Sequence, residues 1–472
     1  MKTAKILGSL FATLALCIGL SSCSHSTDLT ELIPANSEFI EKINLRQPVE
    51  NMGCRIESDG TLTLSPELSE LADRNFTISL AITQLMELGS SVCLDEAYVF
   101  KYGNRFFAIA RITDEKRLAE SLDTMFSASE KEDGMKCYKI AHSCYVCIDG
   151  DVLWVGDEDE IDDVREAASK ENIGDIPGVL QWLGRDAAYS LAVDPGSITD
   201  IPAMLRNKWV CAEMKFGGQQ ASAELVIMNR DGERLPFGDV LGEVNPDFIS
   251  YFPAQCNTAI AIGEIKDSAV RAFIGGLIGA LDSTYESAFN AINGTVAIAG
   301  SVNADGNNEA GNMILMAEAT QEGVNSLIAM ASEEFGRYEC VPHELGNGLY
   351  SVAYGDVTLY YGAVDGRFAF SMAPIEANGQ NKFADAFNGV HAAVVSEMRQ
   401  AFGLPFGLTV RIWLTSDALK GEATVIDTDK NFLEALFSED ALEIYFDNVD
   451  NILNGNSDYL YEDFEDFDID YD

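Results

Sequence analysis

The sequence predicts an α+β fold of two tandem similar domains, each an antiparallel sheet with helices packed on one face. The first observation is a set of sequence landmarks that recur in the same order, each about 210 residues after its first occurrence. The second is that strand-like runs are joined by short turns and mixed with helical stretches, without the strict alternation that marks a parallel sheet. Because a chance match rarely preserves the order of several landmarks, the pattern indicates a duplication.

The first landmark opens each copy. The segment that ends in Ile33-Pro34-Ala35 has a counterpart that ends in Phe252-Pro253-Ala254. Each segment leads into a strand-like run and then into stretches with apolar residues at helical spacing. The elements expected here are the strands 39–45 and 258–265 and the helices 66–74, 78–88 and 268–291.

The second landmark is a strand followed by a helix start. The strand 106–112 precedes Thr113-Asp114-Glu115, and the strand 313–319 precedes Thr320-Gln321-Glu322. A threonine N-cap supplies an oxygen for the unpaired N–H groups of the first turn, and a following acid suits the helix dipole. We therefore expect Thr113 and Thr320 to cap two helices.

The third and fourth landmarks are hairpins. An Asp-Gly pair between apolar runs is a strong hairpin signal, and it occurs at Asp149-Gly150 and again at Asp365-Gly366. Later in each copy a pair of strands contains a tryptophan, and Trp209 and Trp413 are expected to occupy matching places. The strands expected are 144–148, 152–155, 209–215 and 221–227, and then 357–361, 368–370, 408–415 and 421–426.

These landmarks set the predicted domain boundaries. The first α+β copy is expected over 23–236 and the second over 247–440, with a Gly- and Pro-containing connection near 230–246. The remaining residues, 441–472, form an acidic aromatic tail that is expected to be disordered, because dense like charges resist compaction.

The N-terminus has the pattern of a secretory signal. Lys2 and Lys5 form a basic start, and the apolar run 6–20 is short for a membrane span, which needs about 20 residues. The sequence Leu20-Ser21-Ser22-Cys23 resembles the bacterial lipobox, which implies removal of residues 1–22 and lipidation of Cys23. Since Ser24 follows without a run of acids, we expect an outer-membrane lipoprotein that faces the periplasm.

Net charge restricts the possible partners. The chain carries a formal charge of −45 over its 472 residues. Such a surface repels nucleic-acid phosphates, whose binding depends on Lys and Arg. It also repels anionic lipid head groups, so attachment to the membrane is expected to come from acyl chains rather than from a basic patch. No nucleic acid and no cofactor are expected to bind.

The cysteines give no clear redox or zinc signature. Eight of them follow Cys23, and we expect most to be free and buried, with one or two disulfides as the alternative. Cys144 and Cys147 have a Cys-x-x-Cys spacing, which could indicate a redox or metal site. Because they lie in a predicted strand, their side chains should point to opposite faces, and the structural interpretation is favoured.

Two further patterns allow competing interpretations. The acidic run 156–163 could bind calcium, but its spacing favours the acid-rich start of a helix. Its carboxylate pairs, Asp157 with Asp159 or Asp162 with Asp163, could also serve a hydrolase if one pKa were raised. The small residues of 274–279 suit close helix packing, and nearby charges exclude a membrane span.

Aromatic residues among the acids of the tail suggest docking to an envelope protein, since acidic blocks often act as interaction tails. The residues expected to dock are Tyr459, Tyr461, Phe464, Phe467 and Tyr471.

Together, the lipobox, the Ile-Pro-Ala strand start, the Thr-Asp-Glu helix start and the duplication resemble a lipoprotein family of unknown function from Bacteroides-type bacteria. The resemblance implies an envelope location and assigns no activity or catalytic residues. The function expected is therefore that of a membrane-anchored, non-enzymatic binding or scaffold protein. The alternatives are a ligand-binding protein with a cleft between the two copies and a hydrolase that uses paired carboxylates.

Overall fold

A computed structural model provides the architecture. It describes residues 28–56, 62–74, 91–126, 128–130, 135–141, 144–197, 205–280, 283–301, 313–355, 357–377, 382–399, 404–438 and 441. Several sequence-based predictions lie outside these residues. They are the signal segment 1–22, lipidation of Cys23, the helix 78–88, the tail 441–472 apart from Ala441, and its docking aromatics.

The described residues form an α+β fold, as the sequence predicts, with strands and helices in mixed order. The strands are β1 (Phe39–Ile43), β2 (Arg55–Ile56), β3 (Leu62–Thr63), β4 (Val92–Tyr102), β5 (Arg105–Ile112), β6 (Ala128–Glu130), β7 (Lys136–Ala141), β8 (Cys144–Asp149), β9 (Val152–Gly156), β10 (Tyr189–Val193), β11 (Trp209–Gly217), β12 (Gln220–Met228), β13 (Thr258–Ile262), β14 (Ile292–Gly300), β15 (Ile314–Ala319), β16 (His343–Gly346), β17 (Leu349–Tyr354), β18 (Val357–Val364), β19 (Arg367–Ser371), β20 (Ala392–Met398), β21 (Gly407–Leu414) and β22 (Leu419–Ile426). The α-helices are α1 (Arg46–Asn51), α2 (Pro66–Arg74), α3 (Glu115–Met125), α4 (Glu158–Lys170), α5 (Pro177–Leu183), α6 (Ser268–Gly279), α7 (Ser283–Ala291), α8 (Gln321–Arg337) and α9 (Phe432–Leu436).

Twenty of the strands pair in one continuous antiparallel sheet. Its order is β6-β7-β8-β9-β5-β4-β1-β10-β11-β12-β22-β21-β20-β13-β14-β15-β19-β18-β17-β16. Counted inward from the two outer edges, the two sets of ten strands have the same relative order. They meet in the middle, where β12 pairs with β22. We call the strands from β1 to β12 the first half of the sheet and those from β13 to β22 the second half.

The two sides of the sheet are distinguished by neighbouring residues of single strands. Side A is the side of Ile40 and Ala261, and side B is the side of Ile43 and Ile262. Residues that face each other on neighbouring strands lie on the same side of the sheet. The pairing register therefore gives the side of all the remaining strand residues. In the first half, α4 and α5 pack on side A, in a core that includes Trp154.

Helices also pack on side B, so the prediction of helices on one face is wrong. In the first half, Leu118 and Leu122 of α3 pack against Leu153 and Val155, the neighbours of Trp154 in β9. In the second half, α8 packs over β15, β18 and β19 on the same side. The physical reason is that strands such as β5 are apolar in both phases and bury both sides.

The landmark strands form as predicted, and the helices beside them differ from the prediction at two places. The predicted helix 268–291 is two helices, α6 and α7. Asp114, rather than Thr113, caps α3, since its side chain accepts a hydrogen bond from the Arg117 N–H at 3.0 Å. Thr320 does cap α8, accepting from the Gly323 N–H at 3.1 Å.

The two tryptophans do not occupy matching places. Trp209 pairs with Met228 at the open end of its hairpin, whereas Trp413 pairs with Lys420 near the turn of the other hairpin. Both predicted hairpins form, but the first turn is shifted by one residue, since Asp149 pairs with Val152 and the loop is Gly150-Asp151. Asp365 and Gly366 connect β18 to β19 with φ angles of 47° and 76°, a left-handed backbone that Asp and Gly tolerate.

One disulfide joins β7 and β8. Cys137 and Cys147 face each other across these strands, and both are fully buried. The described cysteines outside this disulfide are Cys54, Cys93, Cys144, Cys211, Cys256 and Cys340. Most described cysteines are therefore thiols, as expected, but only half of these are buried. Cys144 and Cys147 do not bond to each other.

Candidate binding surface

The acidic run after β9 forms a helix start, as its spacing favours. It leads into α4, which begins at Glu158. Asp157 forms an ion pair with Arg105, and Asp162 lies 3.7 Å from Arg165. Each of these two carboxylates therefore has a guanidinium beside it. In the part of the chain that the structure describes, no group of three or more His, Cys, Asp or Glu side chains could hold a metal ion.

One pocket lies within the second half and has a volume of about 420 Å³. Its polar side chains bind one another. The Tyr251 hydroxyl donates to Asp365, which raises the pKa of Tyr251, and Arg367 binds Asp247 at 3.3 Å. This pocket is not the cleft between copies that one alternative function requires, because its lining residues come from 246–251, 365–367 and Ala384.

A group of exposed apolar side chains lies on side B of the central strands. Large apolar side chains there are between 37% and 43% exposed, although they lie in regular strands. We call this surface the open face and define it by Met214, Ile260, Ile262, Ile298, Ile412 and Leu419. It crosses seven adjacent strands, from β14 to β11, and is roughly 30 Å wide at the usual strand spacing.

The pairing register shows that the open face is continuous. One row of directly opposed residues runs across all seven strands, and each member faces the next. The row is Ile298, Ile260, Val394, Ile412, Gly421, Ala223 and Met214. Neighbours in such a row have Cβ atoms about 5 Å apart, so the side chains form one contiguous apolar surface.

The open face carries no charge on these seven described strands. On side B, every residue of these seven strands is apolar, glycine, serine or threonine. The strands are β11, β12, β22, β21, β20, β13 and β14. The hydroxyls of Thr258 and Ser396 bind each other at 2.8 Å. The face therefore offers a ligand hydrocarbon contacts and almost no hydrogen-bonding groups.

Side A of the same middle strands is highly charged. Arg185 lies 2.8 Å from Glu224 and 3.2 Å from Glu213, and Arg234 lies 3.1 Å from both Glu224 and Asp417. Burial works against the charge of Glu224, but the two arginines outweigh it and lower the pKa of Glu224. An antiparallel sheet normally turns its polar side to water and buries its apolar side. Here the apolar side is also exposed.

The local sequence explains this arrangement. In β13 and β14, alanine alternates with isoleucine, as in Ala259-Ile260-Ala261-Ile262. The alanines are buried on side A, where they pack in a core with Phe248, Phe252 and Phe387. The bulky aromatic residues leave room only for methyl groups, so the larger isoleucines point to side B.

The apolar helix α6 packs on α7. In α6, Phe273 and Leu277 are 67% and 57% exposed. Gly275 lies next to Phe289 of α7, and Arg271 donates to the carbonyl oxygens of Phe289, at 3.1 Å, and Ile292. In turn, α7 packs with α8 in the side B cluster.

The sequence-based candidate residues and the open face do not coincide. Cys23 and the tail aromatics lie outside the described residues, and the acidic pairs lie at the start of α4. The alternation of alanine with isoleucine was the available signal. By itself it would have assigned the isoleucines to the core, because large apolar residues are usually buried.

No described helix is both long and apolar enough to cross a membrane. No protein-family model matches the chain, and no curated protein matches it. Among solved structures, crystal form IV of TP0453 has a TM-score of 0.29 at 9% identity, covering 43% of this chain and 81% of that one. Crystal form III has a TM-score of 0.30 at 8% identity, covering 46% and 88%. Likeness at this level supports no functional argument.

Proposed function

We propose that this protein is a non-enzymatic binding protein of the cell envelope, held at the outer membrane by a lipid on Cys23 and facing the periplasm. Its binding surface is the open face. The single observation that carries the proposal is the combination of exposure and lack of charge across seven strands. Exposed apolar patches larger than a few hundred Å² are rare on soluble monomers and mark interaction sites.

We also propose that the chain arose by tandem duplication, with similar domains over 23–236 and 247–440. The support is the strand order, which is the same from both edges of the sheet to the middle pair. On this view both copies kept the sheet, and the second copy came to expose side B around β13, whereas the first copy covers it around Ile43.

The lipid anchor has its own test. Only residues 24–27 separate Cys23 from Asp28, the first described residue. A tether of this length reaches less than about 20 Å. Replacement Cys23→Ala should move the protein from the membrane fraction to the soluble fraction. A variant that still sediments with membranes would refute the lipid anchor.

The binding surface is tested with Nile red, a neutral dye that becomes fluorescent in apolar surroundings. The double variant Ile260→Asp/Ile412→Asp should lose most of the dye signal, because carboxylates would hydrate the centre of the open face. The control is Val341→Asp/Leu345→Asp, at two apolar residues that are exposed elsewhere. Equal dye binding by wild type and both double variants would show that the open face is not the binding surface.

A further inference from the structure

We infer that the open face binds the acyl chains of individual neutral or zwitterionic lipid molecules. This inference rests on the proposed function and names the ligand class. The face is about 30 Å wide and provides hydrocarbon contacts across seven strands. An acyl chain needs nothing else, since its binding energy grows with the apolar area removed from water.

The open face offers a ligand almost no hydrogen-bonding groups, which favours a hydrocarbon over a polar ligand. The backbone groups of the seven strands pair within the sheet, and the hydroxyls of Thr258 and Ser396 bind each other. A polar ligand buried here would lose its bonds to water without replacing them, which is costly. A saturated or unsaturated hydrocarbon chain has no such cost.

Charge narrows the choice of occupant. The chain has a formal charge of −45, so a second copy of the protein and an anionic lipid are both repelled as they approach. The open face itself is uncharged, and so it matches a ligand whose buried part is also uncharged. A zwitterionic or neutral head group can stay in water at the edge of the face.

The helix α6 supplies a second apolar surface. It begins six residues after Ile262, packs on α7 and exposes Phe273 and Leu277. Between Arg271 and Gly279 it has no charged residue. These two side chains therefore add to the exposed apolar area of the second half. The short tether from Cys23 would keep this surface within reach of membrane lipids.

The test uses the full mature chain with Cys23→Ser, so that no attached acyl chain competes. It is titrated with dibutyroyl, dihexanoyl and diheptanoyl phosphatidylcholine below their micelle concentrations, by calorimetry, with stoichiometry from native mass spectrometry. Each extra methylene in both chains should strengthen binding by about tenfold, the transfer energy of two CH₂ groups. Ile260→Asp/Ile412→Asp should lose this binding, and Val341→Asp/Leu345→Asp should keep it. Thermal unfolding of each variant verifies that it is folded.

The other outcomes each overturn the inference. Nile red binding at the open face without phosphatidylcholine binding would refute the ligand class and leave the proposed function standing. Lipid binding that survives Ile260→Asp/Ile412→Asp would place the site elsewhere. A chain that binds lipid only after truncation behind Ser438 would make its own C-terminal segment the occupant. Dimers that dissociate in the open-face variant would indicate a second copy, and flotation with phosphatidylcholine vesicles without monomer binding would indicate the bilayer surface.

Discussion

Side B of the sheet is closed at the end of β1 in the first half and open at the end of β13 in the second. Ile43 and Ile262 each end a strand on this side, yet Ile43 is 2% exposed and Ile262 is 38% exposed. Ile43 packs with Leu45 and Tyr189, whereas Ile262 belongs to the open face. The same strand order therefore supports either a closed core or an exposed apolar surface, depending on the segments that cover it.

The chain after the first strand of each half makes the difference. In the first half, Asn51 anchors α1 through two hydrogen bonds. Its side-chain amide donates to the Gly218 carbonyl at 2.9 Å, and its side-chain oxygen accepts from the Leu433 N–H at 2.8 Å. In the second half, the corresponding segment forms α6, which packs on α7 and leaves Phe273 exposed.

The largest expected effect tests this contrast directly. Ile43→Asp should reduce the free energy of unfolding by about 3–5 kcal/mol, because it places an unpaired carboxylate in a closed apolar cluster. Ile262→Asp should cost less than about 1 kcal/mol, because its carboxylate stays in water. Urea unfolding of both variants measures the difference. Similar costs at the two positions would mean that Ile262 is covered in solution and that the contrast does not exist.

The strands and turns could be predicted from sequence because their signals are local. The Asp365-Gly366 turn and the Thr320 cap depend on only a few neighbouring residues. The open face could not be predicted, because the exposure of Ile260 depends on the aromatic residues that occupy side A and on the packing of α6 on α7. The choice between Thr113 and Asp114 as the cap was also beyond the sequence, since both residues suit the position.

The next effect concerns how each half holds its outer hairpin. The first half joins β7 to β8 with the Cys137–Cys147 disulfide, whereas β17 and β18 hold Tyr350 and Tyr361 in a stack with ring centroids 5.5 Å apart. Cys137→Ala/Cys147→Ala should lower the free energy of unfolding by about 2–3 kcal/mol, the usual value for a short disulfide loop.

Hydrogen exchange locates that loss. Reduction of the wild-type disulfide should speed exchange of the amides in β7 and β8 and leave those in β17 and β18 unchanged, because the second hairpin depends on ring packing. The matched control is the double-alanine variant, which should not respond to reductant. Exchange that increases equally in both hairpins would mean that the two halves unfold as one unit.

The smallest effect comes from a charge that the first half keeps on side B. Glu41 lies between Leu191 and Val99, and burial raises the pKa of Glu41. The pKa of Glu41 is higher in the folded protein than in the unfolded protein. At low pH the carboxyl is protonated in both states and does not affect stability. As pH rises through the folded-state pKa, its ionisation lowers the free energy of unfolding. Glu41→Gln should therefore gain stability relative to wild type as pH rises from 4 to 7, by less than the two effects above. In the second half, Ile260→Glu places a carboxylate at an exposed position of β13 and should show no such gain in a matched Ile260→Gln comparison. Equal pH dependence of the two pairs in urea unfolding would show that side B has the same solvent access in both halves.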